Sequence, residues 1–234
     1  MVSVNSVYQK VLLLTNKSGG AGYLVPEDFN NYIAMVNTDK MNNEFSRFQQ
    51  TQKVTDTVKP FIVTKNIPIS SNGKVLYPND YYFFLALGTY NKDEYISETA
   101  KCNDEGITPN YNNITQVPIK LIDNDKFRVR NLSPLYAGNT DFPFATMYND
   151  YIQVAPRNLG VCFMDYLKTP NTPIWGYTLD SFGLPIYDSA TSTNFDWDEN
   201  TENDLVRMVC LYFGLEVREY DFSKLVIQAN DAQW

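Results

Sequence analysis

The sequence predicts an α+β fold in which helical hairpins from both termini pack together and carry a β-rich, sandwich- or barrel-like middle. Three observations predict it. Val4, Val7, Val11 and Leu14 fall at helical spacing at the start of the chain. After Gln52 the texture changes to short apolar runs punctuated by Pro, Asn and Gly, the pattern of strands and tight turns. Helical spacing returns after Asp198. The predicted division is a helical hairpin over 1–52, a β-rich middle over 53–197 with an extended arm at 168–188, and C-terminal helices over 198–234 that pack on the first hairpin.

Tyr8 and Leu12 widen the first apolar stripe, and Ser3 or Asn5 can cap its start. The segment Asn16 to Tyr23 carries Gly19, Gly20 and Gly22 but fits neither dinucleotide nor P-loop spacing and follows no strand, so it reads as an interhelical turn. A second helix starts at Pro26, whose missing N–H costs nothing at that position, with Glu27 and Asp28 facing the positive helix end. Phe29, Ile33 and Val36 form its face, and Met41, Phe45 and Phe48 extend it beyond a polar gap from Asn37 to Lys40.

In the middle, the unbroken apolar run Tyr81–Leu87 predicts a strand buried on both faces. The polar stretch 91–113 reads as a loop, Val117–Ile122 as extended, and residues 123–132 as a capped turn or short helix. Residues 141–156 and 159–170 read as strands of one hairpin or meander. Asp123 with Asp125, and Asp196 with Asp198, resemble the starts of calcium loops but lack the glycine and terminal glutamate, so both pairs read as solvated acids. At the C-terminus Leu205, Met208, Val209 and Tyr212 form a stripe, Thr201 and Asp204 approximate a capping box, and Gly214 takes the position after the helix. A second short helix is predicted over 221–230.

Composition closes several chemistries. There is no histidine among the 234 residues, which removes Ser-His-Asp and Cys-His nucleophile systems and HExxH metal sites. Cys102, Cys162 and Cys210 are far apart, with no CxxC, and read as reduced, buried thiols. No cofactor or metal is expected. The net charge of −8 carries no basic footprint for nucleic acid; it suits solubility, and equally a channel wall along which DNA slides without sticking. The first 14 residues lack the apolar core of a signal peptide, and no stretch approaches a membrane span.

The arm 168–188 holds three prolines, two glycines, a tryptophan and two tyrosines. A proline-stiffened segment loses less conformational entropy on docking than a flexible one. Aromatics are the usual interface anchors. Pro170, Pro173, Trp175, Tyr177 and Tyr187 are therefore candidate interface residues, with Trp175 and Tyr177 as anchors; the competing reading folds the arm back and places Trp175 in its own core. Trp234 is a further candidate, either a free end or a tail ordered only in an assembly.

The two ends of the chain resemble a family of virion structural proteins of tailed phages, the crAss-like phages of gut bacteria in particular. The resemblance is carried by Val7-Tyr8-Gln9, Asn16-Lys17, Gly22-Tyr23 and Pro26 with Phe29-Asn30. It continues in Tyr166-Leu167 with Pro170, Pro173 with Trp175-Gly176-Tyr177, Tyr187-Asp188, Glu202 with Leu205-Val206, and Gly214. The middle of the chain shows no such likeness. The resemblance implies a podovirus-type head-to-tail connector or tail-ring subunit without catalytic residues. It implies a homo-oligomeric ring, dodecameric like the portal, that contacts the portal or neighbouring tail rings, lines part of the DNA-ejection channel in passive contact with DNA, and is assembled in the host cytoplasm. It implies no membrane partner.

Two rival readings follow from the residues alone. Seventeen tyrosines and three tryptophans suit a carbohydrate- or receptor-binding virion component, with Trp175 or Trp197 as stacking platforms. A carboxylate-pair glycosidase is the third reading, motivated only by the abundance of Asp and Glu.

Overall fold

Ser3 opens the first helix by accepting the backbone N–H of Ser6 on its hydroxyl (3.4 Å), the capping role that serine fills well. The computed structural model describes residues 1–15, 24–48, 56–105 and 114–216. In chain order the described elements are α1 (Val4–Leu14), α2 (Pro26–Ser46), β1 (Ile62–Pro68), β2 (Lys74–Leu76), β3 (Tyr81–Tyr90), α3 (Lys92–Glu105), β4 (Gln116–Pro118), β5 (Lys120–Leu121), α4 (Asn124–Leu132), β6 (Phe144–Met147), β7 (Tyr151–Ala155), β8 (Val161–Lys168), β9 (Tyr177–Leu179), β10 (Pro185–Tyr187) and α5 (Glu202–Glu216). Both helices and sheets are present, so the fold is α+β. The chain divides into two compact units, Met1–Phe61 with Pro170–Trp234, and Ile62–Thr169.

In the first unit α5 packs against α1 and α2. Val7, Val11, Phe29, Ile33, Leu205 and Val209 are all buried there. Lys10 on α1 pairs with Glu202 at the start of α5 at 2.6 Å. The polar gap from Asn37 to Lys40 does not interrupt α2, which runs as one helix of 21 residues. Both of its end residues are buried with partners: Asn37 meets Trp197, and Lys40 reaches Glu44 at 3.3 Å and Asp204 at 3.8 Å. Gly214 does not end α5, which continues to Glu216. Thr201 does not form a capping box either; its hydroxyl donates back to the Asp198 carbonyl (2.8 Å) in a 3₁₀ turn that leads into the helix. The predicted turn over 16–23, the helix over 221–230 and Trp234 lie outside the described residues.

The second unit holds two four-stranded sheets, ordered β1-β8-β3-β4 and β2-β7-β6-β5. All pairs are antiparallel except β5 with β6. Alternate residues of the strands share one buried cluster: Ile67, Leu87 and Met164 from the first sheet, Val75, Ile152 and Val154 from the second. The opposite face of the second sheet is covered at one end by α4, where Phe127 lies edge-on to Phe144 at 5.3 Å.

Several expectations for this unit are corrected. Residues 159–170 do not extend the β6–β7 hairpin; β8 sits in the other sheet, between β1 and β3. The run Tyr81–Leu87 is not buried on both faces, since burial begins only at Leu87 and Phe83 is exposed. The β3–β8 register shifts twice, between Tyr81 and Phe83 and between Phe84 and Ala86, and such bulges re-aim side chains. Opposite Gly88 lies the ring of Phe163, so close that a Cβ at Gly88 would stand 2.1 Å from it. The polar stretch 91–113 is not all loop, because α3 occupies Lys92–Glu105. Its signal was present in sequence: Asn91 accepts the N–H groups of Asp93 (3.1 Å) and Glu94 (3.4 Å), a capping asparagine followed by acids.

Residues 168–188 were expected to belong with the β-rich middle, but Pro170 and the described residues that follow it group with the helices of the first unit. The reason is the way the arm is fastened.

Candidate interaction surface

The arm leaves β8 as an extended segment in which Pro170 and Pro173 hold φ and supply no donors. Its exposed peptide groups are satisfied by side chains. The carboxamide of Asn30, on α2, accepts the Trp175 N–H (2.8 Å) and donates to the Trp175 carbonyl (3.2 Å), pairing with that residue as a neighbouring strand would. The indole N–H of Trp175 donates to Asn5 on α1 (3.1 Å). Its ring stacks on Tyr8 at 4.1 Å, and Tyr8 in turn meets the edge of Phe29 at 5.0 Å. Tyr177 and Tyr187 lie 5.9 Å from the indole on the arm's own side.

Next in the chain, Gly176 has no room for a side chain, since a Cβ would fall 2.1 Å from Thr191 Oγ1 and 2.7 Å from that residue's backbone carbon. The backbone can therefore close on itself: Gly176 N–H donates to Ser192 Oγ (2.9 Å), and Asp188 N–H donates to the Gly176 carbonyl (2.9 Å). Ile174 bridges to Thr193. From this base the hairpin β9–β10 projects. Its turn is fixed by Asp180, whose carboxylate accepts the N–H groups of Phe182 and Leu184, both at 2.8 Å. Leu179, Phe182, Leu184 and Ile186 are all more than half exposed, Phe182 at 86%.

A second clamp holds the chain on either side of the arm. Asn171 donates through its N–H (3.1 Å) and its carboxamide (3.2 Å) to Asp196. The Asn171 carbonyl accepts from Asn37 (3.0 Å), and Asn37 accepts the indole N–H of Trp197 (2.8 Å). Phe61 meets Trp197 at 4.5 Å, and Lys40 Nζ lies 5.2 Å from its ring centroid. Asp196 is therefore not the solvated acid expected from the sequence; it is buried, and its carboxylate holds Asn171 at the start of the arm.

The sequence-predicted residues divide accordingly. Trp175, at 2% exposure, is not an exposed anchor for a partner; it fastens the arm to its own unit. Pro173 is buried beside it, and Pro170, Tyr177 and Tyr187 are half-buried. Trp197 is fully buried, so neither tryptophan offers a sugar-stacking platform. The surface residues are instead Leu179, Phe182, Leu184 and Ile186. Their residue types do not single them out, because Trp and Tyr are the commoner interface anchors. The alternation of apolar residues about Asp180 and Gly183, a hairpin signal, would have exposed them.

Burial pushes the thiols of Cys162 and Cys210 up to about 12 and about 11, so both stay protonated and weakly reactive. The Asp39 carboxylate accepts the Tyr212 hydroxyl and raises that phenol to about 12. The Lys10 ammonium, bonded to Glu202, holds its carboxyl below the usual range, with the Ser6 hydroxyl assisting. Among the described residues no cluster of three His, Cys, Asp or Glu can hold a metal ion, and no helix is long and apolar enough to cross a membrane. No protein-family model matches the chain, and no curated protein matches it.

Proposed function

We propose that this chain is a virion structural protein of a tailed phage, a subunit of a ring in the head-to-tail connector or tail that forms part of the DNA-ejection channel. The observation that carries the reading is the arm: a rigidly fastened hairpin whose tip displays Leu179, Phe182, Leu184 and Ile186 uncovered. Such a tip suits completion by another protein surface. The residues that carry the sequence resemblance also meet at its base. Tyr8, backed by Phe29, and Asn30 from one end of the chain hold Trp175 from the other. In this reading the helical termini form one packed body that bears the β-rich middle. The ring is homo-oligomeric, dodecameric to match the portal. It contacts the portal or adjoining tail rings, and DNA passes it without specific binding. No chemistry is performed.

Mass spectrometry of purified virions, with placement of the chain in a virion density map, tests the reading. The chain is expected among the stoichiometric neck or tail components. Its absence from the particle overturns the proposal.

A further inference from the structure

The turn between β1 and β2 carries Asn72-Gly73, the one Asn-Gly pair in the sequence. The turn favours both residues. Asparagine is a preferred turn former, and Gly73 sits at φ 75, where a side chain is strained. A Cβ there would also fall 2.7 Å from the Val154 carbonyl oxygen and 2.8 Å from Gln153 Nε2. The Gly73 N–H donates to the Ser70 carbonyl (2.7 Å), and the Lys74 N–H donates to the Ser70 hydroxyl (2.9 Å). From β7, the Gln153 carboxamide donates to the carbonyls of Asn72 (2.8 Å) and Gly73 (3.1 Å). The Asn72 side chain is left out of this network: it is exposed, and its carboxamide has no hydrogen-bond partner among the described residues. Asn5, which precedes Ser6, is the opposite case, since its carboxamide is held in place by the Trp175 indole N–H (3.1 Å). β2 is three residues long and lies at the edge of its sheet, where opening costs least.

We propose that Asn72 is a modification site, deamidated without an enzyme when the β1–β2 turn opens, and that Gln153 holds that turn shut. The Gly73 nitrogen loses its proton to solvent hydroxide and attacks the carboxamide carbon of Asn72. The bond from that carbon to Nδ2 breaks, and the nitrogen leaves as ammonia after taking a proton from water, which restores the hydroxide. A cyclic imide remains. Water then opens the imide at either carbonyl, giving aspartate or isoaspartate, and nothing is oxidised or reduced. Glycine after asparagine leaves the attacking nitrogen unhindered, because no side chain shields it. In the closed turn that nitrogen is engaged with Ser70, so the turn must open before the attack. Isoaspartate adds a carbon to the main chain beside Gly73, whose carbonyl accepts the Val154 N–H (2.8 Å), and beside Lys74, which pairs with Gln153. The product therefore loosens the β2 edge.

The test incubates the full chain at mildly alkaline pH and maps its peptides by mass spectrometry over time, with isoaspartate detected by labelling with protein isoaspartyl methyltransferase. The peptide that holds Asn72 is expected to change before any other asparagine peptide and to yield isoaspartate together with aspartate. Gln153→Ala frees both carbonyls of the turn and should raise the rate about fivefold, the factor that one ordinary hydrogen bond carries. Circular dichroism checks that this variant folds. Asn72→Ser keeps a turn-forming residue and should abolish the product. Earlier change at another asparagine overturns the site, as does no change in the folded chain over a period in which the urea-unfolded chain converts. A folded-chain rate equal to that of the unfolded chain, or one unchanged by Gln153→Ala, overturns the gate.

Discussion

Tyr8 and Trp175 lie face to face, ring centroids 4.1 Å apart and planes 24° from parallel, although 167 positions separate them in the chain. That contact joins α1 to the start of the arm and seals the indole. Trp175→Ala should therefore cost roughly 3–5 kcal/mol of stability, the range for emptying a buried aromatic site. Phe182→Ser, seven residues on at the hairpin tip, should fall within about 0.5 kcal/mol of wild type. Urea unfolding followed by far-UV circular dichroism measures both. Equal effects would mean that the arm is not fastened at its base.

Asn37 is the relay of the second clamp, accepting from Trp197 and donating to the Asn171 carbonyl. Asn37→Ala leaves a buried indole N–H and a backbone carbonyl without partners. A loss of about 1–3 kcal/mol is expected, the usual cost of an unsatisfied buried group. Thermal melts of the variant should show it, and an unchanged midpoint would show that the clamp carries no weight.

Gly88 and Phe163 face each other across the β3–β8 ladder, and the ring occupies the space a Cβ would need. Phe163 also packs 5.3 Å from Tyr90, so the ring is not free to swing away without loss. Gly88→Ala is expected to destabilise by about 1–3 kcal/mol through overpacking. Adding Phe163→Ala should make the double variant less unstable than the sum of the singles, a coupling that chemical denaturation of all four proteins reads directly.

Burial raises the phenols of Tyr77 and Tyr166 to about 12, with the Asp80 carboxylate adding to the effect at Tyr166. A folded-state pKa above the unfolded value of 10.0 stabilises fully below that value and is lost as pH rises through the folded one. Stability should therefore fall between pH 10 and 12. In Tyr77→Phe with Tyr166→Phe the fall across that window should be shallower, whatever the starting stability. Urea midpoints taken at intervals of pH check the slope.

The helices of the first unit were the legible part of the sequence, because their apolar residues recur at 3.6-residue spacing and their caps are local: Ser3, Pro26, Glu27 and Asp28 act within a turn of where they stand. The polar gap in α2 was visible in the sequence but its purpose was not, because Asn37 faces Trp197 and Lys40 faces Asp204, both more than a hundred residues away, which no local pattern records. β8 was recognisable as a strand, yet its membership of the β1–β3 sheet depends on long-range pairing that alternation does not encode. At the arm the sequence leaves two readings of Trp175 open, an anchor for a partner and a core residue of a folded-back segment, and its burial matches the second. Tryptophan is as useful for sealing a loop to its own core as for gripping a neighbour, and only the partners Asn5, Asn30 and Tyr8 decide between the two.

The β-rich unit begins at Ile62 and ends at Thr169, and Ile62 pairs directly with Leu167 across the β1–β8 ladder. Its two ends therefore leave side by side, at a spacing of about 5 Å that is set by the ladder itself. A segment with coincident ends is a cassette: it can be lengthened, shortened or replaced by unrelated sequence while the chain that surrounds it keeps the same path. Divergence can accordingly concentrate between those two points, with the flanking residues held to their original spacing.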